Sequence, residues 1–134
     1  MIDTRIRRFI KNSSRFPKID AIRERTLREL IYRLKELECD NLLRVTLYGS
    51  VARGDSREDS DTDVFILLRT ENDKDPYDDR IIELMIDIDF GAGECCTHLA
   101  PQICYLSEFN APKHNYSFFD NIEREGIVLY RKFP

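Results

Sequence analysis

Apolar residues recur at near-helical spacing between Lys18 and Glu38, and charged residues take many of the remaining positions. The apolar positions are Ile19, Ile22, Leu27, Leu30, Leu34 and Leu37. Such a one-sided stripe predicts an amphipathic helix, because a helix places every third or fourth residue on the same face. We expect this helix to pack against a sheet.

A second periodic segment, Pro76 to about Ala92, allows two interpretations. Its centre, Ile86 to Phe90, alternates apolar and acidic residues as a strand does. The whole segment also carries an acidic residue at every fourth position and an apolar stripe at helical spacing. The stripe is Tyr77, Ile81, Met85, Ile88 and Ala92. We predict a helix, because the longer pattern has the helical period and Gly91 and Gly93 can end it.

Shorter apolar runs predict strands. These are Leu42–Tyr48, Asp63–Arg69, Leu99–Leu106 and Ile127–Tyr130. Pro101 places the third strand at a sheet edge or a bulge, because proline cannot donate a backbone hydrogen bond. A further helix is predicted at Tyr116–Glu125, with Gly126 ending it. This order of elements predicts an α/β fold, a small mixed β-sheet flanked by helices.

The composition fits one compact domain. The chain has 134 residues, of which 42% are apolar and 34% are charged. That length and apolar content suffice for a hydrophobic core. We assign residues 18–134 to a single domain and residues 1–17 to a basic N-terminal extension. Mixed charge beside an amphipathic helix is more typical of a solvated face than of a nucleic-acid site, so we do not expect a nucleic-acid partner.

The lengths of the apolar runs and the spacing of the cysteines predict the localisation of the protein and the state of its thiols. No apolar run approaches membrane-spanning length, and the first residues show no signal-peptide pattern. We therefore expect a cytoplasmic protein with no membrane partner. The cysteines show no paired metal-ligand spacing and no redox Cys-x-x-Cys motif, so we expect free thiols. They are Cys39, Cys95, Cys96 and Cys104.

Candidate chemistry is concentrated between the first two predicted strands. Gly49 allows a sharp turn after the first strand, and Ser50 opens a short helical turn. Backbone N–H groups at such a turn, together with the Ser50 hydroxyl, can receive phosphate oxygens. Asp61 and Asp63 open the next strand and leave one face of it, about 6–7 Å apart at their Cα atoms. Such hard oxygen donors suit Mg²⁺ held together with substrate phosphates.

The two motifs, G-S-V-A-R-G at 49–54 and S-D-T-D at 60–63, resemble the signature of the minimal nucleotidyltransferases of the DNA polymerase beta superfamily. The tail from Asn121 to Tyr130 is similar to the close of such domains. The resemblance implies that an acceptor hydroxyl attacks the α-phosphorus of a nucleoside triphosphate and releases pyrophosphate. ATP is the expected nucleotide, with AMP as the transferred group.

The resemblance also implies roles for individual residues. Asp61 and Asp63 would be the catalytic residues and would bind Mg²⁺ or Mn²⁺. Gly49 and Ser50 would hold the β and γ phosphates. For Arg53 two roles stay open, a charge-assisted contact to those phosphates and a surface ion pair.

The family usually brings a third carboxylate from its third strand, as a metal ligand and general base. In this chain the equivalent position falls near Ala100 to Gln102, where no acid stands. Three interpretations remain. Asp87 or Asp89 serves if their segment is a strand, Glu94 reaches in from the following loop, or the third acid is absent. Whether a third acid is present matters for catalysis, because a general base within hydrogen-bond reach of the attacking hydroxyl increases the rate by about 10²–10⁴.

The resemblance finally implies a partner. Stand-alone domains of this kind often act as antitoxins beside a helical HEPN-type toxin, which they bind and adenylylate. The chain is too short for further substrate-recognition domains, so the acceptor is small or is supplied by a partner. The alternative is a catalytically silent binding module with the same fold. The two intact motifs favour an enzyme, and the missing third acid favours the silent module.

Overall fold

The computed structural model describes residues 21–57, 59–69, 77–91, 98–109 and 116–132. The helices are α1 (Ala21–Glu38), α2 (Gly49–Arg53), α3 (Tyr77–Gly91), α4 (Leu106–Phe109) and α5 (Tyr116–Glu125). The strands are β1 (Leu42–Tyr48), β2 (Thr62–Leu68), β3 (Leu99–Tyr105) and β4 (Ile127–Arg131). A 3₁₀ turn, Cys39–Asn41, joins α1 to β1. The predicted basic extension, residues 1–17, lies outside the described residues.

The four strands form one mixed sheet in the order β3-β2-β1-β4. β1 pairs antiparallel with both β2 and β4, whereas β2 and β3 are parallel. A parallel pair needs a crossover, which contains α3. The predicted mixed sheet flanked by helices is confirmed. β3 is an edge strand, as Pro101 indicated.

The segment that allowed two interpretations is the helix α3. Its inward face is buried, at Ile81, Leu84, Met85 and Ile88. The helical period therefore outweighed the short alternation between Ile86 and Phe90, and the helix prediction is confirmed. Among the described residues, no helix combines the length and apolar character needed to cross a bilayer.

The helix α1 packs on the same face of the sheet as α3, but its buried stripe differs from the predicted one. Ile22 is 46% exposed, so its assignment to the stripe is wrong. Arg23 takes the inward position instead and is 6% exposed. It precedes Leu27 by four residues, about one helical turn, so both side chains lie on one face.

Two apolar clusters cover the two faces of the sheet. The first lies between the sheet, α1 and α3, and includes Leu30, Val45 and Ile66. The second packs Phe65 of β2 against Phe118 and Phe119 of α5. Because both faces are covered, β2 is an uninterrupted apolar run after its first two residues, as strands buried on both sides are.

Gly126 directly follows α5, as predicted, but for a different reason. Its N–H donates to the Ile122 carbonyl at 2.8 Å, and the positive-φ glycines of the described residues do not include it. A Cβ at this position would collide with that carbonyl and with the Thr46 side chain of β1. Close packing of α5 on the sheet therefore requires glycine here.

Both described cysteines are free thiols, as predicted, and their environments differ. Cys39 is exposed, whereas burial raises the pKa of Cys104 to about 11. We expect iodoacetamide at pH 8 to modify Cys39 roughly a hundredfold faster than Cys104, because the thiolate is the reactive form. Peptide mass mapping of the native protein measures both rates. In denaturant the rates should converge, and equal native rates would contradict the burial of Cys104.

Candidate active site

The carboxylate pair, Asp61 and Asp63, lies at the start of the central strand β2. Asp61 is exposed and Asp63 is half-buried. Burial raises the pKa of Asp63, the negative charge of Asp61 raises it further, and the Arg53 guanidinium acts in the opposite direction. The two carboxylates are thus close enough to repel each other. A bound cation would relieve that repulsion.

The Gly-Ser turn, Gly49 and Ser50, lies directly against this pair. Tyr48 ends β1 and is the cross-strand partner of Asp63. Gly49 follows with φ of +77°, and a Cβ built on it would lie 3.1 Å from Cγ of Asp63 and closer still to Oδ2. The Asp63 carboxyl group therefore occupies the space that a side chain at position 49 would need.

The turn continues into the short helix α2. Gly54 ends this helix in the left-handed region, at φ of +87°, and its N–H donates to the Ser50 carbonyl at 2.9 Å. The first N–H groups of a helix have no carbonyl partner within it, so they can donate to an anion. The fold thus places N–H groups of the kind that can donate to an anion beside Asp63.

Arg53, at the end of α2, is an exposed side chain with two acidic neighbours. Its guanidinium lies 3.4 Å from Asp55 and 3.4 Å from Glu125. Exposed pairs at this distance contribute at most about 1 kcal/mol. Of the two predicted roles the structure contains the surface ion pair, and the phosphate contact remains a prediction.

The candidate third carboxylates fall in three different places. Asp87 and Asp89 belong to α3, so the strand on which their role depended does not exist. Asp87 accepts a hydrogen bond from Arg33 at 2.7 Å on the outer surface. Asp89 accepts one from the Leu99 N–H at 3.0 Å and so ties the end of α3 to the start of β3. Glu94 lies outside the described residues.

The third strand offers no acid to the carboxylate pair. In the parallel register Ala100 lies beside Asp63, and Gln102 lies beside Phe65. Within the described ranges, no group of three or more His, Cys, Asp or Glu side chains could hold a metal ion. The part of the site that the structure describes is therefore two carboxylates and a Gly-Ser turn.

These positions predict distinct effects for the three acids. Asp87→Ala should cost at most about 1 kcal/mol of stability, because its ion pair is exposed. Asp89→Ala should cost about 1–3 kcal/mol, because it leaves the Leu99 N–H without this acceptor. Neither should change the transfer rate per folded molecule, measured alongside thermal unfolding. A drop of about 10²–10⁴ for either variant would contradict this account, and the same drop for Glu94→Gln would identify the third acid.

The carboxylates of Asp61 and Asp63 suit a divalent cation that is bound together with phosphate. Both carboxylates are hard oxygen ligands, and Mg²⁺ and Mn²⁺ prefer such donors. Mg²⁺ typically takes one or two carboxylates from the protein and completes its shell with water and substrate phosphates. Two carboxylates beside anion-binding N–H groups therefore form a half-site that a triphosphate would complete.

Arg23, which the sequence motifs did not nominate, lies behind the carboxylate pair. Its guanidinium donates to the Thr62 hydroxyl at 3.0 Å and to the Ser60 carbonyl at 2.7 Å. The signal was present, because position 23 falls in the same helical row as Leu27. An arginine in an apolar row indicates a buried polar contact, since an unpaired buried charge is costly.

A cavity of about 420 Å³ opens on the face of the sheet that carries Asp63. Its described lining is Phe65, Gln102, Ile103, Cys104, Glu108, Phe118 and Phe119. Phe65 follows Asp63 by two residues, so the cavity begins about 7 Å farther along the strand. Neither Asp61 nor Asp63 lines this cavity, which is largely apolar.

The known proteins to which this chain is similar are nucleotidyltransferases or toxin–antitoxin proteins. The family model described as polymerase beta, nucleotidyltransferase, matches residues 29–133. A Methanocaldococcus jannaschii protein, provisionally named a protein adenylyltransferase, is 31% identical over 107 residues, covering 80% of this chain and 97% of that protein. A chain from a toxin–antitoxin crystal structure with AMP-PNP superposes with a TM-score of 0.52 at 16% identity. That match covers 78% of this chain and 73% of the other.

Proposed function

Because the chain belongs to the polymerase beta nucleotidyltransferase family and is a nucleotidyltransferase, we propose that it transfers AMP from ATP to a hydroxyl group on a partner protein. One observation carries the proposal: Gly49 of the Gly-Ser turn lies against the Asp63 carboxyl group. The name of the archaeal relative supports AMP as the transferred group and protein as the acceptor. The neighbour determined with AMP-PNP supports an ATP-like substrate.

Each part of the site has a role in this reaction. Asp61 and Asp63 hold Mg²⁺ or Mn²⁺, which when bound neutralises charge on the triphosphate. Gly49 and Ser50 hold the β and γ phosphates through backbone N–H groups and the Ser50 hydroxyl. Arg53 exchanges its loose surface ion pairs for a contact to the same phosphates, which strengthens charge-assisted binding.

The order of the strands sets the direction from which the acceptor enters. In-line displacement needs the attacking hydroxyl opposite the leaving pyrophosphate. The Gly-Ser turn holds the pyrophosphate at the end of β1, and the carboxylate pair lies on β2. The acceptor therefore approaches over β3, where the small side chain of Ala100 lies beside Asp63.

The partner is part of the proposal. A HEPN-type helical protein supplies the acceptor hydroxyl, and the chain acts as its antitoxin in the cytoplasm. The toxin–antitoxin neighbour supports such a pairing. The cavity on the face that carries Asp63 supports it too, because a largely apolar compartment can receive a side chain of the partner.

Label transfer tests the proposed reaction. Purified protein is incubated with a cell lysate, Mg²⁺ and ATP labelled at either the α or the γ phosphate. Relative to lysate incubated with the Asp61→Asn/Asp63→Asn variant, we expect additional α label in a protease-sensitive product, no additional γ label, and no additional transfer with EDTA. Label in a nuclease-sensitive product would make nucleic acid the acceptor, and γ label would indicate a kinase.

A silent binding module is the second candidate, and one observation favours it. The described residues bring no third carboxylate to the pair. This candidate predicts that calorimetry detects Mg²⁺-dependent ATP binding although no α label is transferred, even with the partner present. Absence of both binding and transfer would overturn both candidates.

A further inference from the structure

Arg23 is a cationic side chain in the apolar face of α1. It is 6% exposed and shares that face with Leu27 and Leu30, which are fully buried. Burying a guanidinium is costly unless its N–H groups are satisfied. Its hydrogen-bond acceptors therefore indicate what the residue is for.

Three of these acceptors belong to the segment that carries the carboxylate pair. Nε donates to the Thr62 hydroxyl at 3.0 Å. Nη2 donates to the Ser60 carbonyl at 2.7 Å and to the Arg57 carbonyl at 3.2 Å. Ser60 and Thr62 flank Asp61, and Thr62 separates Asp61 from Asp63. One planar guanidinium thus holds the backbone before Asp61 and the side chain of the residue that follows it.

Thr62 is held from a second direction as well. Its side chain is fully buried, and its N–H donates to the His98 carbonyl at 2.9 Å. Because side chains alternate along a strand, Thr62 points to the α1 side and Asp63 to the opposite face. The contacts of Arg23 therefore hold the motif from behind and leave the carboxylates accessible.

We propose that Arg23 is a positioning residue for metal binding, which holds Asp61 and Asp63 at the separation that one divalent cation requires. The inference rests on the proposed function, since it assigns a role around the same metal. Groups that orient metal ligands from behind typically change metal affinity by about 10–100-fold when removed. Arginine suits the task because its rigid fork donates in fixed directions, which lysine cannot reproduce.

The test is the Mn²⁺ dependence of AMP-PNP binding, measured by calorimetry. For Arg23→Met we expect the half-saturating Mn²⁺ concentration to rise about 10-fold or more. At saturating Mn²⁺ the AMP-PNP affinity should return to within about threefold of wild type. Arg23→Lys should lie near Arg23→Met, because charge without the fork is insufficient. Reversible unfolding raises the apparent Mn²⁺ midpoint only by the reciprocal of the folded fraction, so a variant that is at least half folded shifts by at most about twofold from this cause.

Two further variants keep the test decisive if Arg23→Met folds poorly. Thr62→Val removes one acceptor of Arg23, whereas Thr62→Ser retains a hydroxyl, so only the valine variant should raise the Mn²⁺ midpoint. Arg80→Met is the matched control, because Arg80 forms an interhelix ion pair with Glu38 at the opposite end of α1. Its Mn²⁺ midpoint should equal that of wild type.

The possible failures are distinguishable. If Arg23→Met and Thr62→Val keep the wild-type Mn²⁺ midpoint, the positioning role is wrong and the proposed function stands. If wild type itself shows no Mn²⁺-dependent AMP-PNP binding, the proposed function fails and the role of Arg23 fails with it.

Discussion

Replacing Asp61 and Asp63 together by asparagine should lower nucleotidyl transfer by at least about 10³-fold. Stabilisation of the transition state by a bound metal is worth several kcal/mol, and each 1.4 kcal/mol is about tenfold in rate. Asparagine keeps the size of each side chain but removes the negative charge that binds the cation. The measurement is α-label transfer at saturating Mg²⁺, compared with wild type.

The same variant should not unfold, which separates loss of chemistry from loss of structure. The pKa of Asp63 is raised, first by burial and then by Asp61. The folded pKa therefore lies above the unfolded one, so the metal-free protein loses stability as pH rises through these values. Asparagine cannot ionise, so at pH 7 the melting temperature of the variant should equal or exceed that of metal-free wild type.

A control from the same loop completes the comparison. Asp59 is exposed and lies two residues before Asp61, so Asp59→Asn removes a nearby charge without touching the pair. Its transfer rate should stay within about twofold of wild type, because exposed surface charges contribute little. If the double variant kept more than about a tenth of wild-type transfer, a metal-assisted reaction at this pair would be excluded.

The second large effect is expected from a single methyl group, in Gly49→Ala. An alanine at φ of +77° costs about 1–2 kcal/mol in backbone strain alone. Its Cβ would also occupy the space of the Asp63 carboxyl group, so either the turn or the carboxylate must move. A displacement of about 1 Å at a catalytic group costs roughly 10²-fold in rate. We expect at least that loss in α-label transfer.

Gly54→Ala separates backbone strain from the collision. Gly54 has a similar φ of +87° and is exposed at the end of α2. Both variants should lose about 1–2 kcal/mol of stability in chemical denaturation. Only Gly49→Ala should lose more transfer activity than its loss of stability explains. Equal activity of the two variants would show that Asp63 does not need its position against Gly49.

Hydrophobic periodicity predicted most of the fold because the residues of both apolar clusters lie mainly on regular helices and strands. The α3 segment shows why length mattered: its buried row begins at Ile81, before the short alternation around Asp87 and Asp89. Once that segment is a helix, neither acid lies on a strand, where the resemblance places the third carboxylate. The choice between helix and strand therefore bears on which residue could be the third acid.

The candidate site was only partly visible in the sequence. The Gly-Ser turn and the carboxylate pair are contiguous motifs, so their residue types and spacing sufficed to nominate them. Arg23 could not be nominated in this way, because its acceptors lie more than thirty positions away and two of them are backbone carbonyls. Every residue type has a backbone carbonyl, so residue type does not indicate which carbonyl accepts a hydrogen bond. These acceptors can be identified only in the folded structure.

The antiparallel pairing of β1 with β2 has a consequence for how the protein folds. Leu42 pairs with Leu68, so the turn, the carboxylates and the strands that hold them form a hairpin-like unit of consecutive residues. Pairings between nearby residues cost less loop-closure entropy than distant ones and tend to form earlier. β4 reaches the opposite edge of β1 only from the end of the domain. The reacting groups should therefore meet on the nascent chain before the sheet that encloses them is complete.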